Sequence, residues 1–316
     1  MNYYCTLFDS GYLVRGLAMY NSMIDTGEDF TLFVFAFDDE CYDVLSKLNL
    51  PRLKPISLND FENERLLKIK QTRTRGEYCW TCSCFSILHV LTQYNVPEVT
   101  YLDSDLFFFN KPQILLDEFH ESGKDVLLTK HRYTPMYDQS ELSGIYCVQF
   151  MTFKNNANGL NVLNWWCDRC EEWCYNRAED GKFGDQKYLD DWMTRFNCCH
   201  ELIHIGGGVA PWNIQQYDVV HGPKVNGVPV VFFHFHALKW LDYDTFDLSI
   251  YRLKKSDKIN IFYPYIRKLQ ETYDFINEYM LFTKGFSTAN KNVSLPARLK
   301  FFLYRKIKKV YNVVKI

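Results

Sequence analysis

One apolar stretch, residues 99–109, is interrupted by two carboxylates and constrains the fold more than any other part of the chain. β-favouring residues lie on both sides of Asp103 and Asp105, which predicts a buried strand ending at these acids. Alternate side chains of an extended chain share a face, so both carboxylates are expected to point the same way. Paired carboxylates repel each other, and a hard divalent cation relieves that repulsion. The pattern predicts either a metal site or a strand end whose acids simply reach solvent.

The first part of the chain alternates between β-rich segments and segments with helical periodicity. Strands are predicted at residues 3–8, 30–37 and 55–58, with helices at residues 12–23 and 38–48. This alternation predicts βαβ units and a parallel sheet. Further strands are predicted at residues 126–130, 144–153 and 228–233, and further helices at residues 59–71, 77–94, 161–177, 186–195 and 260–284.

Composition favours a large core and excludes a global charge field. Hydrophobic residues make up 47% of the chain and aromatic residues 17%, while the formal net charge is −2. This charge gives no basic field to recruit nucleic acid. The first residues lack the pattern of a signal peptide, and no run of about 18 apolar residues predicts a transmembrane helix. With an odd number of cysteines, 11, we expect free thiols and a cytoplasmic protein.

Two cysteine clusters leave an alternative open. They comprise Cys79, Cys82 and Cys84, and then Cys167, Cys170 and Cys174 with Cys198, Cys199 and His200 further on. The Cys-X-X-Cys spacing is compatible with zinc or an iron–sulfur cluster. Both clusters lie in Trp- and Leu-rich segments with helical spacing, where a buried cysteine behaves as a small hydrophobe. We therefore favour a structural role for these thiols.

Three segments carry a resemblance to known enzymes. Residues 101–105, Tyr-Leu-Asp-Ser-Asp, resemble the Asp-X-Asp motif of GT-A glycosyltransferases. Residues 185–189 resemble the Asp-Gln-X-X-Leu segment of glycosyltransferase family 8 and its relatives, and residues 234–239 resemble their His-Phe-X-Gly-X-X-Lys motif. The last motif is one residue shorter here, and Ala237 stands near the expected glycine. Residues 146–149, Tyr-Cys-Val-Gln, depart from the family's Asn-Ser-Gly segment.

The resemblance covers roughly residues 1–240 and implies a GT-A, Rossmann-like α/β fold. In this fold a mostly parallel central sheet is flanked by helices, and here a C-terminal helical extension is expected to follow. Residues 1–240 would form the catalytic domain, with residues 1–110 binding the nucleotide-sugar and residues 111–240 completing the metal and acceptor sites. Residues 241–316 would form the helical extension.

The resemblance also implies roles for particular residues. Asp103, Asp105 and His234 would bind Mn²⁺ or Mg²⁺, with His236 as an alternative ligand or a phosphate donor. Asp185 and Gln186 would be catalytic residues that orient the sugar, and Asp185 is also a plausible helix cap. The expected donor-binding residues are Thr6, Asp9, Tyr12, Arg73, Arg75, Asp103, Ser104, His236 and Lys239. Asp9 is equally compatible with a role in a turn or as a helix cap. Arg73 and Arg75 are also compatible with an ordinary loop whose charges face solvent.

The end of the chain, residues 296–316, is basic and aromatic, with seven Lys and Arg residues and no acid. A cationic amphipathic helix of this kind suits an anionic membrane surface. The alternative is an ordinary C-terminal helix that packs on the core.

Together these features predict a metal-dependent hexosyltransferase that uses a UDP-sugar. The expected acceptor is a surface glycan, a lipid-linked polysaccharide or oligosaccharide, reached from the inner face of the membrane. The resemblance implies UDP-galactose or UDP-glucose and retention of configuration, while the sequence leaves inversion open, with Asp185 as the general base. A non-catalytic sugar- or nucleotide-binding module on the same fold is an alternative. A sugar-nucleotide nucleotidyltransferase is another, but residues 3–15 lack the Gly-rich basic loop it should carry.

Overall fold

A computed structural model of the chain describes residues 1–287, 303, 305–307 and 310–316. The strands are β1 (Asn2–Phe8), β2 (Phe30–Ala36), β3 (Leu53–Ile56), β4 (Glu98–Leu102), β5 (Leu106–Phe108), β6 (Val126–Lys130), β7 (Tyr146–Lys154), β8 (Cys199–Glu201), β9 (Val219–Val220), β10 (Lys224–Val225), β11 (Val228–Pro229), β12 (Phe232–His234), β13 (Lys239–Asp242), β14 (Thr245–Asp247) and β15 (Val313–Lys315). The α-helices are α1 (Leu13–Asp25), α2 (Asp39–Leu48), α3 (Leu58–Phe61), α4 (Glu64–Lys70), α5 (Arg75–Gln93), α6 (Gln113–Glu121), α7 (Ser140–Ser143), α8 (Ala157–Glu172), α9 (Trp192–Arg195), α10 (Lys255–Asp257) and α11 (Tyr263–Tyr279). Short 3₁₀ helices span Pro135–Tyr137, Gln186–Asp191 and Ile214–Gln216, and a π-helical segment, Lys258–Phe262, leads into α11.

Helices α2 and α5 begin where the sequence supplies a cap. The carboxylate of Asp38 accepts the N–H of Cys41 at the start of α2, and Asn49 ends that helix in the left-handed conformation, with φ 42°. Thr74 and Glu77 form a capping box at the start of α5, in which each side chain accepts the backbone N–H of the other. Such caps satisfy backbone groups that the helix itself leaves unpaired, and each contributes about 1 kcal/mol.

Seven strands form the central sheet, in the order β3-β2-β1-β4-β7-β6-β8. Strands β3, β2, β1 and β4 run parallel to one another, and β8 runs parallel to β6. Strand β7 lies antiparallel between β4 and β6. The predicted α/β fold, with a mostly parallel central sheet flanked by helices, is confirmed.

Strand β1 shows why both faces of this sheet are apolar. Tyr4 and Phe8 point into one hydrophobic cluster, which also contains residues of α1 and α11. Cys5 and Leu7 point into a second cluster, which contains residues of α5 and α8. Because side chains alternate along a strand, each face is buried by its own pair of helices. This arrangement leaves the ends of the strands as the place where polar side chains can gather.

A two-stranded ribbon of β5 and β12 fixes the position of the predicted metal ligands. Leu102 ends β4 and Leu106 begins β5, so the Asp-Ser-Asp sequence forms the short connection between them. Strand β12 pairs antiparallel with β5, and this pairing sets His234 opposite Leu106. The N–H of Phe235 donates to the carbonyl of Asp105 at 2.9 Å. The ribbon therefore brings the second half of the chain against the acids.

The expectation of a helical C-terminal region holds only in part. The π-helical segment and α11 are helical, but β13 and β14 form a hairpin, and β15 pairs antiparallel with β14. A helix through residues 296–316 is therefore wrong for residues 310–316, none of which is helical and of which Val313–Lys315 is a strand. Val310 and Asn312, which precede this strand, are buried against the core. Residues 303 and 305–307 are helical, and residues 296–302, 304, 308 and 309 lie outside the described residues.

Two other helix predictions need correction. Residues 186–195 form a 3₁₀ helix and the single turn α9, and the Asp185 side chain makes no capping hydrogen bond. Asp185 already has helical backbone angles, φ −91° and ψ −28°, whereas a capping residue is normally extended. The helix predicted at residues 59–71 divides into α3 and α4, because Ser57 and Asn63 each cap a separate helix.

The side chain of Asn312 anchors the C-terminal segment, and we expect its loss to destabilise the protein. Its amide donates to the carbonyls of Ser249 at 2.8 Å and Tyr251 at 2.6 Å, and the residue is 1% exposed. Asn312→Ala should lower the free energy of unfolding in urea by about 2 kcal/mol, because both carbonyls would lose a buried donor. The neighbouring Tyr311→Ala, at a residue that is 71% exposed, is the control and should change it by less than about 0.5 kcal/mol. Equal stability of the two variants would contradict the anchoring role.

Candidate active site

The two acids and the histidine of β12 converge at the carboxyl ends of the central strands. The N–H of Asp103 donates to the carbonyl of Gln149 at 3.0 Å, which ties the acidic connection to β7. His234 Nε2 lies 3.0 Å from Asp105 Oδ1 and 3.8 Å from Asp103 Oδ2. The structure therefore brings together the three residues that were predicted as metal ligands.

Gln149 fixes the orientation of the His234 ring. Its Oε1 lies 2.8 Å from His234 Nδ1, and both side chains are buried. An amide oxygen only accepts, so Nδ1 must carry the hydrogen and Nε2 is directed towards the carboxylates. Metal-binding histidines commonly have this arrangement, in which a hydrogen-bond acceptor holds the ring nitrogen that does not bind the ion.

The electrostatics of the cluster favour a positive charge between the carboxylates. Burial opposes ionisation of Asp105, but the charge and the hydrogen bond of His234 outweigh burial and lower the pKa of Asp105 to about 2. Burial also disfavours charged His234, yet the Asp105 carboxylate raises the histidine pKa well above its usual range. Burial raises the pKa of Asp103 to about 6, against the opposing effect of His234. Two carboxylates that attract a shared cation are what a metal site requires.

The cluster lies in a cavity of about 680 Å³. This volume is within the range of small-molecule sites, about 300–1,000 Å³. Beside the three cluster residues, the predicted site residues that line it are Asp9, Tyr12, Arg75, Ser104, Asp185, Gln186 and His236. Aromatic side chains also line it: Trp80, Tyr101, Tyr133, Phe183, Trp212 and Tyr251. The cavity thus combines a charged cluster with flat apolar surfaces.

Three predicted site residues are not among the described residues that line the cavity. Thr6 is fully buried in β1, so a nucleotide could not reach its hydroxyl. Arg73 donates to the carbonyl of Glu171 and stacks on Tyr175, with its guanidinium 3.8 Å from the ring centre. Lys239 begins β13 with an exposed side chain, and its contact with a phosphate stays a prediction. The contacts of Arg73 are therefore structural, whereas the buried hydroxyl of Thr6 makes no hydrogen bond with the described residues.

Arg75 lies at the rim of the cavity beside two carboxylates. Its Nη2 is 2.8 Å from Asp9 Oδ2 and 2.9 Å from Asp38 Oδ2. Asp9 also accepts the N–H of Tyr12 at 3.1 Å, so it has the predicted turn role and lines the cavity as well. A bound phosphate would have to compete with these carboxylates for the guanidinium.

Asp185 presents a buried carboxyl to the same cavity. Burial raises the pKa of Asp185 to about 7, and the negative charge of Asp103 adds to the rise. The indole N–H of Trp166 donates to the Asp185 carbonyl at 2.9 Å and holds this position of the chain. A carboxyl whose pKa is raised in this way can donate to a ligand hydroxyl when it is protonated and accept from one when it is ionised.

Gln149, Cys147 and His131 were not predicted as site residues. Cys147 and Gln149 share a face of β7, and the alternation of a strand could have paired them with each other. It could not show that this face meets His234, which lies 85 positions beyond Gln149 in the chain. His131 lines the cavity beyond the end of β6 and stacks on Tyr133, with ring centres 4.6 Å apart.

Protonation of His131 should weaken the fold in acid. Burial is the main cause that lowers the pKa of His131 to about 3, compared with about 6.5 for an unfolded chain. Below pH 6.5 the unfolded chain therefore binds a proton that the folded chain excludes, and stability falls as the pH falls towards 3. Between pH 7 and pH 5 this should cost about 2 kcal/mol of unfolding free energy.

The variant His131→Phe keeps an aromatic ring and removes the titration. Its unfolding free energy in urea should depend less on pH than that of the unaltered protein, by about that 2 kcal/mol. The control is His221→Phe, at an exposed position, which should leave the pH dependence unaltered. Parallel pH profiles for the unaltered protein and His131→Phe would show that His131 does not control acid stability.

Sequence relatives cover most of the chain. No family model matches it. The chain is 30% identical to the uncharacterized protein YfnF of Bacillus subtilis (strain 168) over 290 residues, which is 88% of this chain and 93% of YfnF. It is 28% identical over 285 residues to the uncharacterized protein YfnD of the same organism, covering 87% of this chain and 90% of YfnD.

Solved structures agree with the fold. The glycosyltransferase GlyE of Streptococcus pneumoniae TIGR4 matches with a TM-score of 0.53 and 12% identity, over 88% of this chain and 62% of that chain. The bifunctional glycosyltransferase WbbM matches with a TM-score of 0.52 and 12% identity, over 88% of this chain and 51% of that chain. At this identity the likeness is one of fold. The chain therefore belongs to the protein family of Bacillus subtilis YfnF, and it has the GT-A fold.

Proposed function

We propose that the protein is a metal-dependent glycosyltransferase that transfers a hexose from a UDP-sugar to a surface glycan. The observation that carries the proposal is the cluster of Asp103, Asp105 and His234 in a cavity large enough for a nucleotide-sugar. The fold is shared with glycosyltransferases of known structure. Fold alone does not determine activity, so the proposal rests on the side chains of the cavity.

The residues of the cluster fit a divalent cation. Carboxylate oxygens suit Mn²⁺ and Mg²⁺, and a neutral imidazole held by Gln149 is compatible with Mn²⁺ as well. Asp103, Asp105 and His234 would hold the ion. When bound, the ion would supply Lewis-acid stabilisation of the charge that develops on the leaving diphosphate.

The other residues of the cavity have roles that follow from their positions and charges. Asp9, Tyr12 and Arg75 belong to residues 1–110, the part of the chain that was expected to bind the nucleotide-sugar. They line the cavity and would bind the donor. His236 is exposed and lines the cavity, and its neutral ring would offer one N–H to a phosphate oxygen. Asp185 and Gln186 would orient the hydroxyls of the transferred sugar, and the ionised form of Asp185 could act as a base if the reaction inverts configuration.

Metal binding and turnover should fail together when the cluster is altered. Asp105→Asn removes a charge at constant shape, and we expect it to abolish hydrolysis of UDP-sugars in the presence of Mn²⁺. His234→Ala should weaken Mn²⁺ binding, measured by calorimetry, by at least about tenfold, because it removes a ligand rather than an outer partner. In the unaltered protein, UDP should raise the melting temperature only when Mn²⁺ or Mg²⁺ is present.

His236→Ala is the matched control, because His236 lines the same cavity but is not one of the three proposed ligands. It should retain Mn²⁺ binding and lose part of the affinity for UDP. A greater loss of Mn²⁺ binding in His236→Ala than in His234→Ala would move the ligand to His236. Binding of UDP-sugars without any hydrolysis or transfer would favour a non-catalytic binding module.

We also propose that the protein associates with an anionic membrane surface that carries a lipid-linked acceptor. Among the described residues of the C-terminal segment, the apolar side chains of Leu303, Ile307 and Tyr311 are exposed. Arg305, on the same segment, pairs with Asp247 at 2.5 Å, which ties the segment to β14. No helix in the described ranges is long and apolar enough to cross a membrane. Exposed apolar side chains among basic residues suit peripheral binding.

Substitution of the exposed apolar residues tests this association better than truncation, because Val310 and Asn312 belong to the core. The double variant Leu303→Ser and Ile307→Ser should bind anionic liposomes at least about tenfold more weakly, since each side chain contributes about 1.5–3 kcal/mol when buried. UDP-sugar hydrolysis should be unchanged. Ile203→Ser, at an exposed position outside the C-terminal segment, is the control. Equal liposome binding by the double variant and the control would reject the membrane proposal.

A further inference from the structure

A thiol lies among the proposed metal ligands. One ligand atom each of Asp103, Cys147 and His234 lies within 4.8 Å of the other two, and Cys147 and His234 are buried. Cys147 also lines the cavity. Asp105 is not part of this second group, so Asp103 and His234 are common to both groups, and Asp105 in the first is replaced by a thiol in the second.

The course of β7 explains why the thiol is there. Residues 150–154 of β7 pair with β4, and the strand continues past the end of β4 towards Tyr146. The extension runs beside the acidic connection, where the carbonyl of Gln149 accepts the N–H of Asp103. Cys147 and Gln149 lie two residues apart and share a face. Gln149 holds the His234 ring, and Cys147 places its sulfur close to the same ring.

The two donor sets favour different ions. Carboxylate oxygens select hard ions such as Mg²⁺ and Mn²⁺, whereas a set of one oxygen, one imidazole nitrogen and one thiolate suits borderline ions such as Zn²⁺ and Co²⁺. We infer that Cys147 is a ligand of this site and that Asp103, Cys147 and His234 together bind Zn²⁺ or Co²⁺. The Cys147 thiol would release its proton to solvent as the metal–sulfur bond forms.

This inference rests on the metal site of the proposed function and adds to it. The residues of the family motifs provide oxygen and nitrogen donors, and a sulfur donor changes which ion the site prefers. A second thiol, Cys79 of α5, also lines the cavity but does not belong to the group of three. It therefore provides a matched control for any effect of thiol chemistry in the cavity.

Cobalt is a suitable probe because its absorption reports the ligands directly. The full chain, stripped of metal with a chelator and kept reduced, would be titrated with Co²⁺. We expect visible cobalt bands together with a near-ultraviolet sulfur-to-cobalt charge-transfer band.

Cys147→Ser should lose the charge-transfer band and retain Co²⁺ binding. Cys79→Ser should retain both signals. Cys147→Ala serves as a second variant if the buried serine hydroxyl impairs folding, and circular dichroism would verify the fold of each variant.

Affinity provides a second measurement. By calorimetry, Cys147→Ser should weaken Zn²⁺ binding by at least about tenfold, since changes to outer-shell partners alone cost about 10- to 100-fold. Its Mn²⁺ affinity should change little, because oxygen donors dominate binding of that ion. Equal losses for both ions would indicate a general disturbance of the site and overturn the inference.

The outcomes separate this inference from the function on which it rests. Cobalt that binds without a sulfur band would overturn the role of Cys147 and leave the oxygen-based metal site intact. A sulfur band that persists in Cys147→Ser, or that is lost in Cys79→Ser, would assign the thiol elsewhere and overturn the inference. If neither Co²⁺, Zn²⁺ nor Mn²⁺ binds, both the inference and the metal-dependent function fail.

Discussion

The contact between Gln149 and His234 determines how the site is built. Without an acceptor on Nδ1, the ring would not be held with Nε2 towards the carboxylates 3.0 Å and 3.8 Å away. Two carboxylates at the end of a buried strand need a positive partner, because desolvation makes their repulsion costly. The His234 ring provides this positive partner, and the pairing of β12 with β5 places the ring beside the carboxylates. The pairing of β5 with β12, the orientation of the His234 ring and the balance of charge with the two acids therefore depend on one another.

The parts of the fold that local chemistry controls could be predicted from the sequence. Apolar periodicity predicts strands β1, β2 and β6 and helices α1, α2 and α5. The side chains of Thr74 and Glu77 form the capping box at which α5 begins. The C-terminal segment could not be predicted in this way. Its basic and aromatic residues have helical spacing, but residues 313–315 pair with the edge of β14, and the Asn312 side chain donates to two carbonyls 61 and 63 positions earlier.

The same distinction applies to the site. The three proposed ligands could be predicted, because the acids and His234 lie in short motifs with a recognisable resemblance. Gln149 and Cys147 could not, since the residues around them depart from the motif and their partner is far away in the sequence. Thr6 shows the opposite error: it lies in the segment that the resemblance indicates, but the alternation of β1 turns its side chain into the core. A motif indicates which segment of the chain lies near a site, whereas the alternation of side chains along a strand determines which of them face it.

The link between Asn312 and Tyr251 couples the stability of one segment to the shape of the cavity. Tyr251 lines the cavity, and its carbonyl accepts a hydrogen bond from the side chain of Asn312, 61 positions further along the chain. Asn312 also donates to the carbonyl of Ser249, so one amide holds the chain leading to Tyr251 at two points. If the segment around Asn312 separates from β14, these hydrogen bonds are lost and the cavity wall at Tyr251 can move. Local opening of this segment would therefore change the shape of the cavity without any alteration of the residues that line it.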